Sequence, residues 1–438
     1  MTISSSKDSM AVATPVHKNG LVEYVHNVRR FSKNARLYLI GSFLLGVNFQ
    51  VFQLLLNLYL KELGFGEGQI GMVNSSRALG MTMMAIPAAL LLSRIRLKPV
   101  LLSTVGLFAL FSFGLASSRQ YLLLAGFALL AGMCFAFYRV AAAPFFMRNS
   151  TPAERTHLFS FSFSMMLLAG MLGSIGAGKL VMLLTAATGD VIMGYEYTLY
   201  IGIGFGLLAL LPFGAIKAAA PSAEERRITF NWQQARSRVG FYVKITLANF
   251  LIGVGAGLII PFLNLYFRDR FHLQPDNISY YYFFVQCAML IGTLTGPLLT
   301  RRFGLVRSIV LTQMLSIPFM LILSYAYFLP LAVVAFVIRG GLMNIGVPLG
   351  TNFAMEICER EEQGLVNALL MVSWTGSWMV SAAVGGHLIE QYGYTVTLNV
   401  AALLYVLSVI VYFTFFRQVE QRHKTSGQWY VPQVARHA

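Results

Sequence analysis

One stretch of this chain occurs twice, and it constrains the fold more than any other feature. Phe43-Leu44-Leu45-Gly46-Val47, followed by Leu56-Asn57-Leu58-Tyr59-Leu60-Lys61-Glu62, returns as Phe250-Leu251-Ile252-Gly253-Val254 and then Leu263-Asn264-Leu265-Tyr266-Phe267-Arg268-Asp269. Each pair lies 207 residues apart, with an asparagine set in apolar sequence and a base-acid pair closing each copy. The same offset carries Ser93-Arg94 onto Thr300-Arg301, and one residue more carries Gly178-Lys179-Leu180 onto Gly386-His387-Leu388. Self-similarity at one period along most of a chain indicates two homologous halves.

Composition says where such halves live. Only 11% of the residues are charged and 57% are hydrophobic, against about 25% charged in soluble domains. Apolar runs near the length that crosses about 30 Å of hydrocarbon recur throughout. Twelve spans are expected, at 37–60, 68–92, 99–116, 121–147, 158–184, 196–216, 243–266, 280–300, 306–327, 329–355, 364–389 and 395–416. The fold expected is therefore an all-α membrane protein with twelve transmembrane helices in two pseudo-symmetric six-helix bundles. The domains are a cytoplasmic N-terminal segment 1–36, bundles 37–216 and 243–416, a cytoplasmic linker 217–242 and a tail 417–438.

The net charge of +16 excludes an ordinary soluble acid and raises nucleic acid as a partner, but the distribution of charge argues otherwise. With the N-terminus cytoplasmic, only Lys61, Arg119, Arg268 and Arg270 among the loop cations face outward, and positive loops are retained on the cytoplasmic side. Both termini are expected inside a cell inner membrane, with a small solute and the bilayer as the only partners of a monomer and nucleic acid excluded. Residues 1–35 lack the apolar core of a cleavable signal. Leu21, Val25 and Val28 share a face beside Arg29 and Arg30, the pattern of a short helix on the inner leaflet. The three cysteines, Cys134, Cys287 and Cys358, match no metal or redox spacing, and no cofactor is implied.

The short loops at Ser93-Arg94 and Thr300-Arg301 make the pattern specific. Gly296-Pro297-Leu298-Leu299-Thr300-Arg301 resembles the glycine-x-leucine-x-aspartate-arginine-x-glycine loop of the major facilitator superfamily of transporters, with threonine in place of the aspartate. Ala89-Leu90-Leu91-Leu92-Ser93-Arg94 is a looser copy. Gly173-Ser174-Ile175-Gly176-Ala177-Gly178 is similar to the family's antiporter signature without its proline; small residues here also let helices approach closely. The resemblance implies two six-helix halves, with spans 1, 4, 7 and 10 lining a central cavity.

Ionisable groups inside spans are costly and carry a functional hypothesis by default. They are Arg77 in span 2, Arg139 in span 4, Lys179 in span 5 and Arg339 in span 10. Arg139 and Arg339, on cavity-lining spans by the resemblance, are the first candidates for solute contact, and Arg77 the next. Gln50, Gln53 and Asn57 share one helical face, where amides facing lipid would lack partners. Asn344 beside Gly340 and Gly341, and Trp374 with Trp378, complete the expected wall. No Asp or Glu lies well inside a span, since Glu62, Asp269, Glu356 and Glu390 are near span ends. Cations without internal counter-ions point to an anionic or strongly polar solute, because guanidinium binds carboxylate or phosphate through paired hydrogen bonds. The same Arg residues are also readable as satisfied at helix crossings.

Asn57 and Asn264 are expected to gate the outer mouth. Glu356, paired with Arg301 or its neighbour as the resemblance implies, is expected to lock the inner one, with Arg94 at the matching place in the first half. Pro348 makes span 10 the expected bending element. The function expected is secondary transport of a small organic solute by alternating access. A multidrug-type efflux transporter with an aromatic and Met-lined cavity is a second reading, and a non-transporting membrane receptor a third. An enzyme is disfavoured, since no metal spacing, nucleophile-base pair or phosphate loop is present.

Overall fold

The computed structural model describes residues 31–150, 152–217, 238–358 and 362–426. The leaflet helix expected at Leu21–Arg30, the linker stretch Ile228–Trp232 and the acidic run at 359–361 lie outside the described residues. What is described is helical. Six helices come first: α1 Lys33–Glu62, α2 Glu67–Leu92, α3 Leu97–Ser117, α4 Tyr121–Asn149, α5 Pro152–Thr188 and α6 Val191–Ala215. They are followed by α7 Val239–Phe271, α8 Pro275–Phe303, α9 Leu305–Tyr325 and α10 Leu329–Glu356.

The last helical run, Gln363–Ser426, is two helices that meet at Gly393, whose φ of 77° and ψ of 176° are not helical. A side chain is strained at that φ, so glycine supplies the reversal. Residues 363–392 form α11 and 394–426 form α12. Eleven helical runs are long and apolar enough to cross a membrane, and the break divides the last into two crossings. Twelve transmembrane helices in two pseudo-symmetric bundles result.

Local chemistry sets the ends of these helices. Ser32 caps α1, its Oγ accepting from the Ala35 amide at 3.1 Å, and Asp190 caps α6 through the Ile192 amide at 2.7 Å. Gly304, at φ 89°, turns α8 into α9. With twelve crossings, α1 begins and α12 ends at one face, called the terminal end below; the opposite face is the distal end.

The repeat in sequence is a repeat in hydrogen bonding. Tyr59 donates to the Ala116 carbonyl at 2.8 Å, and Tyr266 to the Leu323 carbonyl at 2.7 Å, both pairs displaced by 207 residues. Symmetry fails at α7, where Ile260–Phe262 is a single 3-10 turn around Pro261 while α1 runs unbroken. Between the halves, α5 lies against α8 and α2 against α11. Close approach needs small residues: a Cβ on Gly178 of α5 would sit 2.5 Å from the Ser279 Cβ, and one on Gly71 of α2 would sit 2.5 Å from the Ala382 carbonyl. Of the glycines read as an antiporter-like signature, Gly178 thus sits at the crossing with α8 and Gly173 at that with α1, where helices approach closely, whereas Gly176 meets no neighbour.

Candidate functional site

Among the described residues, hydrogen bonds between the halves lie at the distal end and the midplane. At the distal end, the Asn57 amide donates to the Pro261 carbonyl at 2.6 Å and the Asn264 amide to the Leu54 carbonyl at 2.7 Å. Both asparagines are buried. Arg268 holds Glu62 at 2.7 Å, Ser75 donates to the Met379 carbonyl, and the Gly68 amide donates to Glu390 at 2.9 Å. Asn74, which draws no notice in the sequence, donates to the Asn57 carbonyl oxygen at 2.9 Å and fixes that side chain.

At the terminal end no such bond joins the halves among the described residues. Arg94, Arg301 and Glu356 are exposed there. Glu356 accepts only from Asn352, four residues earlier, at 2.9 Å. The pair expected between Arg301 and Glu356 is not made among the described residues. Below that end, Arg238 and Tyr242 both donate to the buried Glu362, tying the start of α7 to the loop before α11.

Midway along the helices lies a polar cluster. Gln50 of α1, 6% exposed, donates to Ser174 of α5 at 2.9 Å and accepts from Gln286 of α8 at 3.3 Å, so one amide spans both halves. Gln286 was not legible in the repeat, because position 79 of the first half is Leu79, an apolar residue.

Gln53, one helical turn further along α1, accepts from Arg77 of α2 at 3.1 Å. The Arg77 guanidinium also lies over the Phe49 ring, 5.7 Å from its centre, and that ring stacks on Phe135 of α4 at 4.5 Å. Arg77 is half-buried, with a neutral amide and a ring as its neighbours. Its backbone is placed by Gly132 of α4, whose Cβ would strike the Arg77 carbonyl, and by Gly80, whose Cβ would strike that of Leu129.

Arg139 lies in the same half. It is exposed and has no hydrogen-bond partner among the described residues. At 1.5 Å per residue it stands about 27 Å along α4 from its distal end, whereas Arg77 stands about 15 Å along α2. The two cations therefore occupy different depths. No described Asp or Glu side chain bonds to either.

Arg339 lies elsewhere. It is 4% exposed, donates to Tyr405 of α12 at 2.7 Å and lies over that ring at 5.6 Å, so in this conformation it points into its own bundle. Asn344 makes one long local bond, to the Gly340 carbonyl at 3.5 Å. Trp374 and Trp378 stand 6.0 Å apart, half-buried, against Gly253 and Gly257 of α7. Lys179 is exposed near the Tyr280 ring at 5.8 Å.

The helices form two bundles bonded to each other at the distal end, and known proteins share the fold. The chain resembles a bacterial homolog of the human lysosomal transporter Spinster, solved inward-facing and unoccupied, at 13% identity over 90% of this chain and 98% of that one, with a TM-score of 0.74. It resembles the nucleoside transporter NupG at 17% identity over 87% and 98%, TM-score 0.66, and a D-xylose-proton symporter at 14% over 90% and 98%, TM-score 0.68. No curated protein matches the sequence. A fold shared by carriers of such different solutes does not select the solute. The family model of the Major Facilitator Superfamily matches residues 38–312 and again 245–434, nearly the whole length. The chain thus belongs to the Major Facilitator Superfamily.

Proposed function

We propose that this protein is a secondary transporter of a small organic anion or strongly polar solute. It works by alternating access, and its solute meets Arg77 and Arg139 on the wall of the N-terminal bundle. The observation that carries the reading is the surroundings of Arg77: a membrane-embedded guanidinium whose hydrogen-bond partner is the neutral Gln53. A lone cation at this depth is costly, and an entering carboxylate or phosphate offsets that cost through paired, charge-assisted hydrogen bonds. Arg139, exposed and unpartnered nearer the terminal end, attracts the same charge as it enters.

The positive-inside pattern supports a cytoplasmic terminal end in an inner membrane, and halves bonded to each other at the distal end fit an inward-open conformation. Alternation then requires the distal bonds of Asn57, Asn264 and Arg268 to break while Arg301 or Arg94 finds an acid such as Glu356 at the other mouth. Gln50 and Gln286 sit where the two motions meet, and Trp374 and Trp378 form the facing wall. Arg339, bound to Tyr405, holds α10 against α12 rather than meeting solute in this state.

The test is a thermal-shift screen of the purified protein against sugars, organic acids, phosphorylated metabolites and cationic dyes, followed by uptake into liposomes. Arg77→Gln and Arg139→Gln are each expected to weaken binding of an organic anion about tenfold to a hundredfold, the scale of one charged hydrogen bond, and to spare a lipophilic cation. Undiminished anion binding in both variants overturns the reading. Loss of cationic-dye transport instead favours multidrug efflux, for which the stacked Phe49 and Phe135 would supply the surface.

A further inference from the structure

Against the distal closure lies a half-open cavity of about 500 Å³. Its walls come from both halves: α1, α5 and α6 on one side, and the end of α7 with the start of α8 on the other. The Glu62 and Arg268 pair that bridges the halves is part of the lining, together with Asp269 and His272. Apolar surface is supplied by Leu58, Met182 and Ile278.

We propose that this cavity is a binding site for an organic ammonium ion with an apolar body, and that its occupant holds the distal end shut. Charge sets the class of ligand. Arg268 is shared between Glu62 at 2.7 Å and Asp269 at 3.0 Å, which leaves the three groups one negative charge in excess. One oxygen of Glu62 accepts both Arg268 bonds, and its other oxygen has no bond among the described residues. An ammonium donor completes that carboxylate. The volume lies within the range of small-molecule sites, roughly 300–1,000 Å³.

The conformational consequence follows from the two-sided wall. When the halves part at the distal end, Glu62 and Leu58 leave with α1 while Arg268 and Ile278 leave with α7 and α8, so the cavity exists only in the closed state. A ligand that binds one state alone shifts the population toward it. This second step rests on the alternating-access reading, whereas the site itself does not.

The test uses 2-phenylethylammonium with the purified full chain in detergent free of aminolipid, and 2-phenylethanol as the neutral control. Saturable calorimetric binding is expected for the ammonium alone, with hydrogen exchange slowed at residues 54–62 and 261–268. Met182→Trp fills the cavity without touching its charges and is expected to abolish binding. Glu62→Gln is expected to weaken it at least tenfold. Absence of saturable binding, equal binding of the alcohol, or full binding to Met182→Trp overturns the site. Binding without slowed exchange overturns the state selectivity. Neither result bears on anion binding at Arg77 and Arg139, so this proposal and the transport reading fail separately. The same measurement in nanodiscs with and without phosphatidylethanolamine separates a soluble ammonium from a lipid headgroup: competition by the lipid assigns the site to the bilayer and overturns a soluble occupant.

Discussion

Asn57 and Asn264, 207 residues apart, reach across the distal interface in opposite directions, each donating to a backbone carbonyl of the other half, and those acceptors, Pro261 and Leu54, are themselves 207 residues apart. The acceptor on α7 is free for this because Pro261 closes a 3-10 turn that interrupts its helix. Both amides are buried. Asn57→Ala or Asn264→Ala leaves a buried carbonyl without its donor, a cost of about 1–3 kcal/mol. That cost falls on the distal-closed state alone. Each variant is expected to raise the distal-open population by about tenfold, read as a change in distance between spin labels at the distal ends of α1 and α7. An unchanged distribution in both variants would show that these bonds do not hold the closure.

This pair was legible in the sequence because duplication wrote it twice. Arg77 was also legible, since a cation within an apolar run stands out whatever its surroundings. The orientation of Arg339 was not. Period and length say that a residue is on a helix, but rotation of that helix is set by packing, here by Gly340 and Gly341 against Val285 and Ala288 of α8. Gln286 and Asn74 are single amides in their helices with no pattern of their own, and only packing brings them to Gln50 and Asn57. The expected bond between Arg301 and Glu356 is not made among the described residues, where Glu356 accepts from Asn352.

The ion pair of Glu62 and Arg268 should matter less than its position suggests. Both side chains are close to 30% exposed, and pairs of that kind are worth about 0–1 kcal/mol and are screened by salt. Glu62→Gln is expected to change thermal stability by only a few degrees, with the difference from the parent shrinking at high ionic strength. A large loss that persists at high salt would mean that the pair is more desolvated than its exposure indicates.

The crossing of α2 and α4 is the most sensitive packing contact near Arg77. Gly80 and Gly132 each face a backbone carbonyl of the other helix at less than van der Waals separation for any added Cβ. Gly132→Val forces the helices apart, and overpacking of this kind costs about 1–3 kcal/mol. The variant is expected to melt several degrees lower and to lose solute affinity, because the displaced backbone is that of Arg77 itself. Retention of both would show that α2 can shift without penalty.

Cys358, in the loop after α10, is buried, and burial pushes its thiol up to about 12, with the Glu362 carboxylate raising it further and Arg238 opposing. The thiolate is the reactive form. At pH 8 it is expected to be alkylated orders of magnitude more slowly than in the denatured chain. Mass spectrometry of maleimide-labelled protein checks this, and rapid native labelling would show that the loop opens.

Arg339 and Tyr405 allow a discriminating comparison. Arg339 is almost fully buried, and among the described residues its Nε has no partner and the Tyr405 hydroxyl is its hydrogen-bond acceptor. Removing one member of a buried polar pair leaves the other desolvated, whereas removing the charge also removes the cost of burying it. Tyr405→Phe is therefore expected to destabilise by about 1–3 kcal/mol. Arg339→Leu should cost less than that, or nothing, and should leave solute affinity unchanged. Thermal melting and solute titration of the two variants decide the matter. If Arg339→Leu instead melts normally but loses the solute, the guanidinium leaves Tyr405 during the cycle to face the cleft, and Arg339 joins Arg77 and Arg139 as a solute contact.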